Sequence, residues 1–131
     1  TARDTLAAVV AALEAEGFVY TPFVNFGDID RQIVESFDQP NVTGISIDCH
    51  VVGNTGNSQV AVGPSFAPFR ELRAGLMIQS NNIFSFEFIT HTALPSFGDR
   101  RLRINFEDNV IVTNQGVELL YPRNERILLI R

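Results

Sequence analysis

The stretch Ile83-Phe84-Ser85-Phe86-Glu87-Phe88-Ile89-Thr90-His91-Thr92 decides how this chain is read. Successive side chains of an extended strand point to opposite faces. Phe84, Phe86 and Phe88 therefore share one face, and Ser85, Glu87 and His91 share the other. That alternation predicts a strand with one aromatic face turned to a core. Most of the chain repeats the pattern in shorter pieces, with turn residues between them.

Working back from that strand, Ile45, Ile47, Cys49 and Val51 alternate with Ser46, Asp48, His50 and Val52, which predicts a strand over Val42 to Val52. Gly53 to Ser58 reads as a hairpin tip, and Gln59 to Val62 resumes a strand. Pro64 to Pro68 breaks the chain. Phe69 to Ile78 fits either a helical turn with Phe69, Leu72 and Leu76 aligned, or a strand ending in Leu76-Met77-Ile78. Phe18 to Phe26 reads as an edge strand because it contains Pro22. Asp28 to Asp38 fits a short helix, a strand or an extended arm. The firmest helix lies at the start: Thr1 and Asp4 have capping-box spacing, Leu6, Val9, Val10 and Leu13 line one side, and Gly17 ends it.

Working forward, Pro95 to Asp99 is a loop and Arg101 to Phe106 a strand with Leu102, Ile104 and Phe106 inward. A turn near Glu107-Asp108-Asn109 leads to Val110 to Thr113, and a hairpin joins Val117 to Tyr121 with Arg126 to Ile130. The sum is an α+β, mostly β chain. It has one amphipathic N-terminal helix at about 4–15, then an antiparallel β-sandwich or barrel-like body over about 18–131. About seven to nine strands are expected, in a single domain.

Composition excludes several function classes. No apolar run approaches the ~20 residues of a membrane-spanning helix, and no signal-peptide pattern is visible from Thr1. Every basic side chain is arginine, and the net charge is -5. Eight acids oppose two arginines up to Ser65, and seven acids oppose eight arginines after it. Such a balance argues against nucleic acid as the main partner. It suits charge-complementary contacts between copies or within one fold. The lone Cys49 lies on an apolar strand face and reads as a buried, inert thiol.

Catalytic and cofactor motifs are missing. Without lysine no phosphate-binding P-loop exists, and Ser65 lacks the second glycine of a nucleophile elbow. The two histidines are the remaining candidates, His50 beside Asp48 and His91 beside Glu87, each on a polar strand face. If their strands pair, the four side chains form a metal site or an acid/base pair. Solvent-facing side chains are the plainer expectation, so no catalytic residue, metal or cofactor is expected. Arg101 and Arg103 share a strand face suited to an acidic partner surface, to a phosphate or, more plainly, to solvent. Phe66, Phe69 and Phe97 fall in Pro/Gly-rich segments where aromatic side chains mark partner surfaces. With Asn54 and Asn57 of the hairpin tip, these are the candidate interface residues.

An N-terminal helix (Asp4 to Ala15) followed by a β-rich body resembles the small tail-completion and head–tail connector proteins of tailed phages, the terminator-like subunits. The resemblance is one of element order. Terminator-like folds place a clear second helix between strands, and only Phe69 to Leu76 could serve here. The resemblance implies a non-enzymatic, ring-forming virion protein, found in the virion or the host cytoplasm, that docks to copies of itself and to other structural subunits. A decoration or other capsid-associated protein fits the same class. The competing expectation is a monomeric β-sandwich module binding carbohydrate or a small ligand, and an enzyme using His50 or His91 comes third.

Overall fold

The computed structural model describes residues 1–22, 39–54, 63–98, 101–123 and 125. Helix α1 (Ala2–Ala15) starts from the expected capping box: the Thr1 hydroxyl accepts from the Asp4 amide, and the Asp4 carboxylate accepts from the chain's N-terminal amine at 2.9 Å. Thr1 and the N-terminal charge together hold the Asp4 carboxyl below its usual range. Gly17, at φ 90°, takes the left-handed conformation that closes the helix.

Six strands follow among the described residues: β1 (Val19–Tyr20), β2 (Thr43–Ile47), β3 (His50–Asn54), β4 (Asn82–Ala93), β5 (Arg101–Thr113) and β6 (Gly116–Leu119). They form one mixed sheet in the order β1-β2-β4-β5-β6, with β3 also against β4. This is not a closed barrel. Nor is the sheet purely antiparallel, because β1 lies parallel to β2. A parallel neighbour cannot be reached by a hairpin, and the chain crosses over between Tyr20 and Thr43.

Strands β2 and β3 are one lane. Ile47 pairs with Phe88 and His50 with Ser85, so the register is kept across Asp48 and Cys49. The expected strand over Val42 to Val52 is therefore present, interrupted only in its ladder. On the far side of β4, Arg101 to Thr113 runs unbroken, paired from Ala93↔Arg101 to Ile83↔Ile111. The turn expected near Glu107-Asp108-Asn109 does not form. Those residues stay in the ladder, where the Ser85 hydroxyl donates to Glu107 at 2.9 Å. A polar strand position then costs little.

Phe69 to Ile78 resolves into a single helical turn, α2 (Glu71–Ala74), with no strand after it. Leu72 is 97% exposed, so the expected alignment with Phe69 and Leu76 buries nothing there. The last strand pairs back on β5 through Asn114-Gln115, with Gly116 at φ 135°. The expected arm Asp28 to Asp38, the strand Gln59 to Val62, Asn57 and the partner segment Arg126 to Ile130 lie outside the described residues.

The core sits on one face of the sheet. Ile47, Cys49, Val51, Phe84 and Val110 are buried there with Phe66 and Ala2, and Leu6, Val9, Val10 and Leu13 of α1 pack onto them. Phe86 and Phe88 are half-buried against the same cluster. Phe66 stacks at 5.7 Å from Phe84 and 6.4 Å edge-on from Phe86. It is a core residue, correcting its expected place at an interface. Phe106 corrects the opposite expectation. Although it shares the face of Phe88, Phe84 and Val110, it is 52% exposed, and Leu102 and Ile104 are exposed beside it. Helix α1 does not reach that end of the sheet.

Candidate functional site

The opposite face of the sheet carries the polar row, and much of it is buried: Ser46, Asp48, Ser85 and His91. Strand alternation and the shared β2–β3 lane bring Asp48 and His50 two residues apart onto this face, with Glu87 opposite Asp48. One ligand atom from each of the three lies within 4.8 Å of the others. His50 Nε2 is 3.8 Å from Glu87 Oε2, and Arg70 Nη1 is 3.0 Å from Asp48 Oδ1. That last contact is close but misaligned, and neither atom is hydrogen bonded. Phe69, expected at an interface, instead lies 4.7 Å from the Arg70 guanidinium, ring centroid to Cζ.

Desolvation shapes the titration of this cluster. Burial pushes the Asp48 carboxyl up to about 6, against the opposing pull of Arg70. Burial and then Glu107 raise Glu87 as well. His50 is lowered, first by burial, with the Arg70 and Arg73 charges adding to it. Its Nδ1 lies 3.2 Å from the Val51 carbonyl, which can only accept, so Nδ1 carries the hydrogen and Nε2 presents a lone pair. On the core side, burial takes the Cys49 thiol up to about 12, as suits an inert buried thiol.

His91 does not join this group. It is four residues from Glu87 on the same strand face, about 13 Å along the strand. It forms a second cluster instead, and it is buried rather than solvent-facing. Arg101 Nη1 lies 3.3 Å from His91 Nδ1 and can only donate, so Nε2 carries the imidazole hydrogen and donates to Thr21 Oγ1 at 3.1 Å. The Ser46 hydroxyl donates to the Thr21 carbonyl at 2.6 Å, which leaves Thr21 to donate to Ser46 at 3.0 Å. Burial, then Arg101 and Arg103, push His91 down to about 4. Gly44 opposes His91 in the ladder, and a Cβ there would run into the imidazole.

The remaining interface candidates separate. Arg101 turns onto His91, whereas Arg103 is exposed and bonds Asn105 at 3.2 Å. Asn54 ends β3 opposite Asn82, and Phe97 closes the 3-10 turn Pro95–Phe97. The surface that the sequence reading missed is the row Leu102, Ile104 and Phe106, continued on β6 by Val117 and Leu119, all 37–54% exposed. Its signal was length: among the described residues α1, with 14 residues, is too short to cover both ends of the 12- and 13-residue strands β4 and β5.

No helix among the described residues is long and apolar enough to cross a membrane. No protein-family model, curated protein or solved structure matches the chain.

Proposed function

We propose that this chain is a non-enzymatic assembly subunit that docks, through the bare apolar end of its sheet, onto a second copy of itself. The observation that carries the reading is the exposed row Leu102, Ile104, Phe106, Val117 and Leu119, lying on the same face as the core. An exposed apolar cluster such as Leu102, Ile104 and Phe106 marks an interaction site.

A second copy is the occupant that fits. Across the ladder Leu102, Ile104 and Phe106 are flanked by Thr92, Thr90 and Phe88, all uncharged, and the one acid of this face, Asp108, stands between Phe106 and the Val117–Leu119 pair. A two-fold axis through the Leu102–Phe106 end would set that uncharged patch against itself with Asp108 at its margin, which matters for a chain of net charge -5. Leu120 and Tyr121, exposed just beyond β6, add apolar surface next to it. The sandwich expected within one chain would then form between two.

The finer reading, an oligomeric virion component of a tailed phage, has the support of element order: α1 first, the sheet after it, and the short α2 between β3 and β4. The test is native mass by light scattering across a concentration series, for wild type and Phe106→Asp. Wild type is expected to be a dimer or larger, and the variant a monomer with unchanged circular dichroism. Equal masses would sink the reading. An apolar interface also predicts that the assembly holds or tightens as salt rises, unlike one built on Arg101 and Arg103.

A further inference from the structure

We propose that Asp48, His50 and Glu87 form a binding site for a first-row divalent cation, with Zn²⁺ the best-suited ion. Three arguments carry the assignment, and none depends on the assembly reading.

The first is convergence. An imidazole nitrogen from β3, a carboxylate oxygen from β4 and another from Asp48, in the link between β2 and β3, lie within 4.8 Å of one another. A tetrahedral zinc ion holds N and O ligands at about 2.0–2.2 Å, which places them roughly 3.4 Å apart. His50 Nε2 and Glu87 Oε2 are at 3.8 Å already, and the widest separation in the trio is within 4.8 Å. His50 and Glu87 stand on paired strands, and the Asp48 amide, in the link between β2 and β3, is held to the Glu87 carbonyl at 2.9 Å, which gives the site the rigidity that metal geometry demands.

The second is the orientation of His50. With Nδ1–H donated to the Val51 carbonyl, the Nε2 lone pair faces the Glu87 carboxylate. Two acceptors facing each other repel unless something positive lies between them. Fixing one imidazole nitrogen on a carbonyl so that the other presents its lone pair is how proteins orient metal-binding histidines. The mixed N/O set selects a borderline ion such as Zn²⁺ over Ca²⁺ or Mg²⁺, which prefer oxygen alone.

The third is Asp48, a carboxylate 3% exposed whose Oδ1 has no hydrogen bond. Arg70 lies against it but out of alignment, so the guanidinium balances charge without satisfying the oxygen. Other charges bear on the site. Glu107 is tied to Ser85 beside Glu87, and Arg73 is anchored on the Gly63 carbonyl at 2.7 Å. With Asp48 and Glu87 ionised these five groups sum to one negative charge, which attracts a cation. Three protein ligands leave the fourth position to water.

The experiment is calorimetric titration of the chelator-stripped full chain with ZnCl₂, alongside CaCl₂ and MgCl₂, and absorption spectroscopy with Co²⁺. Wild type is expected to bind one Zn²⁺, to give visible Co²⁺ bands, and to melt at a higher temperature with the ion than with EDTA. His50→Gln and Glu87→Gln should each weaken binding about tenfold or more, while Glu14→Gln, an exposed acid on α1, leaves it unchanged. If His50→Gln fails to fold, Glu87→Gln carries the test, with its folding checked by circular dichroism. No Zn²⁺ binding, binding undiminished in the folded variants, or Ca²⁺ binding as tight as Zn²⁺ would each overturn the proposal. A shared proton in place of a metal would show as no Co²⁺ spectrum, and that too overturns it.

Discussion

Two rows of side chains on opposite faces of the same strands behave in opposite ways. Ser46, Asp48, Ser85 and His91 are polar and buried, whereas Leu102, Ile104 and Phe106 are apolar and exposed. Alternation assigns each residue to a face, but it does not say which face, or which end of a face, receives a cover. Here α1 covers the apolar face only over β2, β3 and the near part of β4 and β5. The polar row is buried at the price of internal hydrogen bonds: Ser46 to Thr21, His91 to Thr21, Ser85 to Glu107. Buried polar groups are tolerated when partnered in this way.

The largest effect expected from this contrast lies along the apolar face. Phe84→Ala, in the covered part, should cost about 3–5 kcal/mol in urea unfolding, whereas Phe106→Ala should cost about 1 kcal/mol or less in the monomer. Similar losses at both positions would mean that the distal end is covered after all, and the contrast would break.

A somewhat smaller effect concerns His91. Its folded-state value near 4 lies below the ordinary 6.5, so the unfolded chain binds the extra proton in that window. The stability tied to neutral His91 is full above about pH 6.5 and is lost as pH falls toward 4, on the order of 3 kcal/mol in all. Asp48, raised to about 6, works in the opposite sense, favouring the folded state as pH falls through 6. The measurement is therefore a difference. The melting-temperature gap between wild type and His91→Gln should narrow from pH 7 to pH 4, and a gap independent of pH would show that His91 does not titrate as a buried base.

The smallest expected effect is Gly44→Ala, about 1–3 kcal/mol of overpacking against the imidazole. His91→Ala in the same chain should recover part of that loss, which a double-mutant cycle would measure. Simple additivity would mean that Gly44 and His91 do not touch in solution.

Much of the candidate site could be read from the residues alone. Asp48 and His50 at i and i+2 must share a strand face, and Glu87 was already on the polar face of its own strand. The register was not readable. It sets Glu87 opposite Asp48 and leaves His91 about four residues further along, against Gly44 and Arg103. Phe66 was misplaced for a similar reason. The chain around them lacks periodicity, so only its return beside β3, where Ser65 bridges to His50, decides that Phe66 enters the core and that Phe69 carries Arg70.

By itself, the sequence determined the local elements: a capped helix from Thr1, whose hydroxyl and Asp4 satisfy each other within one turn, and strands whose faces follow from a period of two. These are short-range matters of hydrogen bonding and sterics. Tertiary structure alone decided that β5 runs through Glu107-Asp108-Asn109, that β1 joins in parallel, and that polar His91 is buried while apolar Phe106 is not. Each of those outcomes depends on which segments cover which surface, and burial is a property of neighbours distant in the chain.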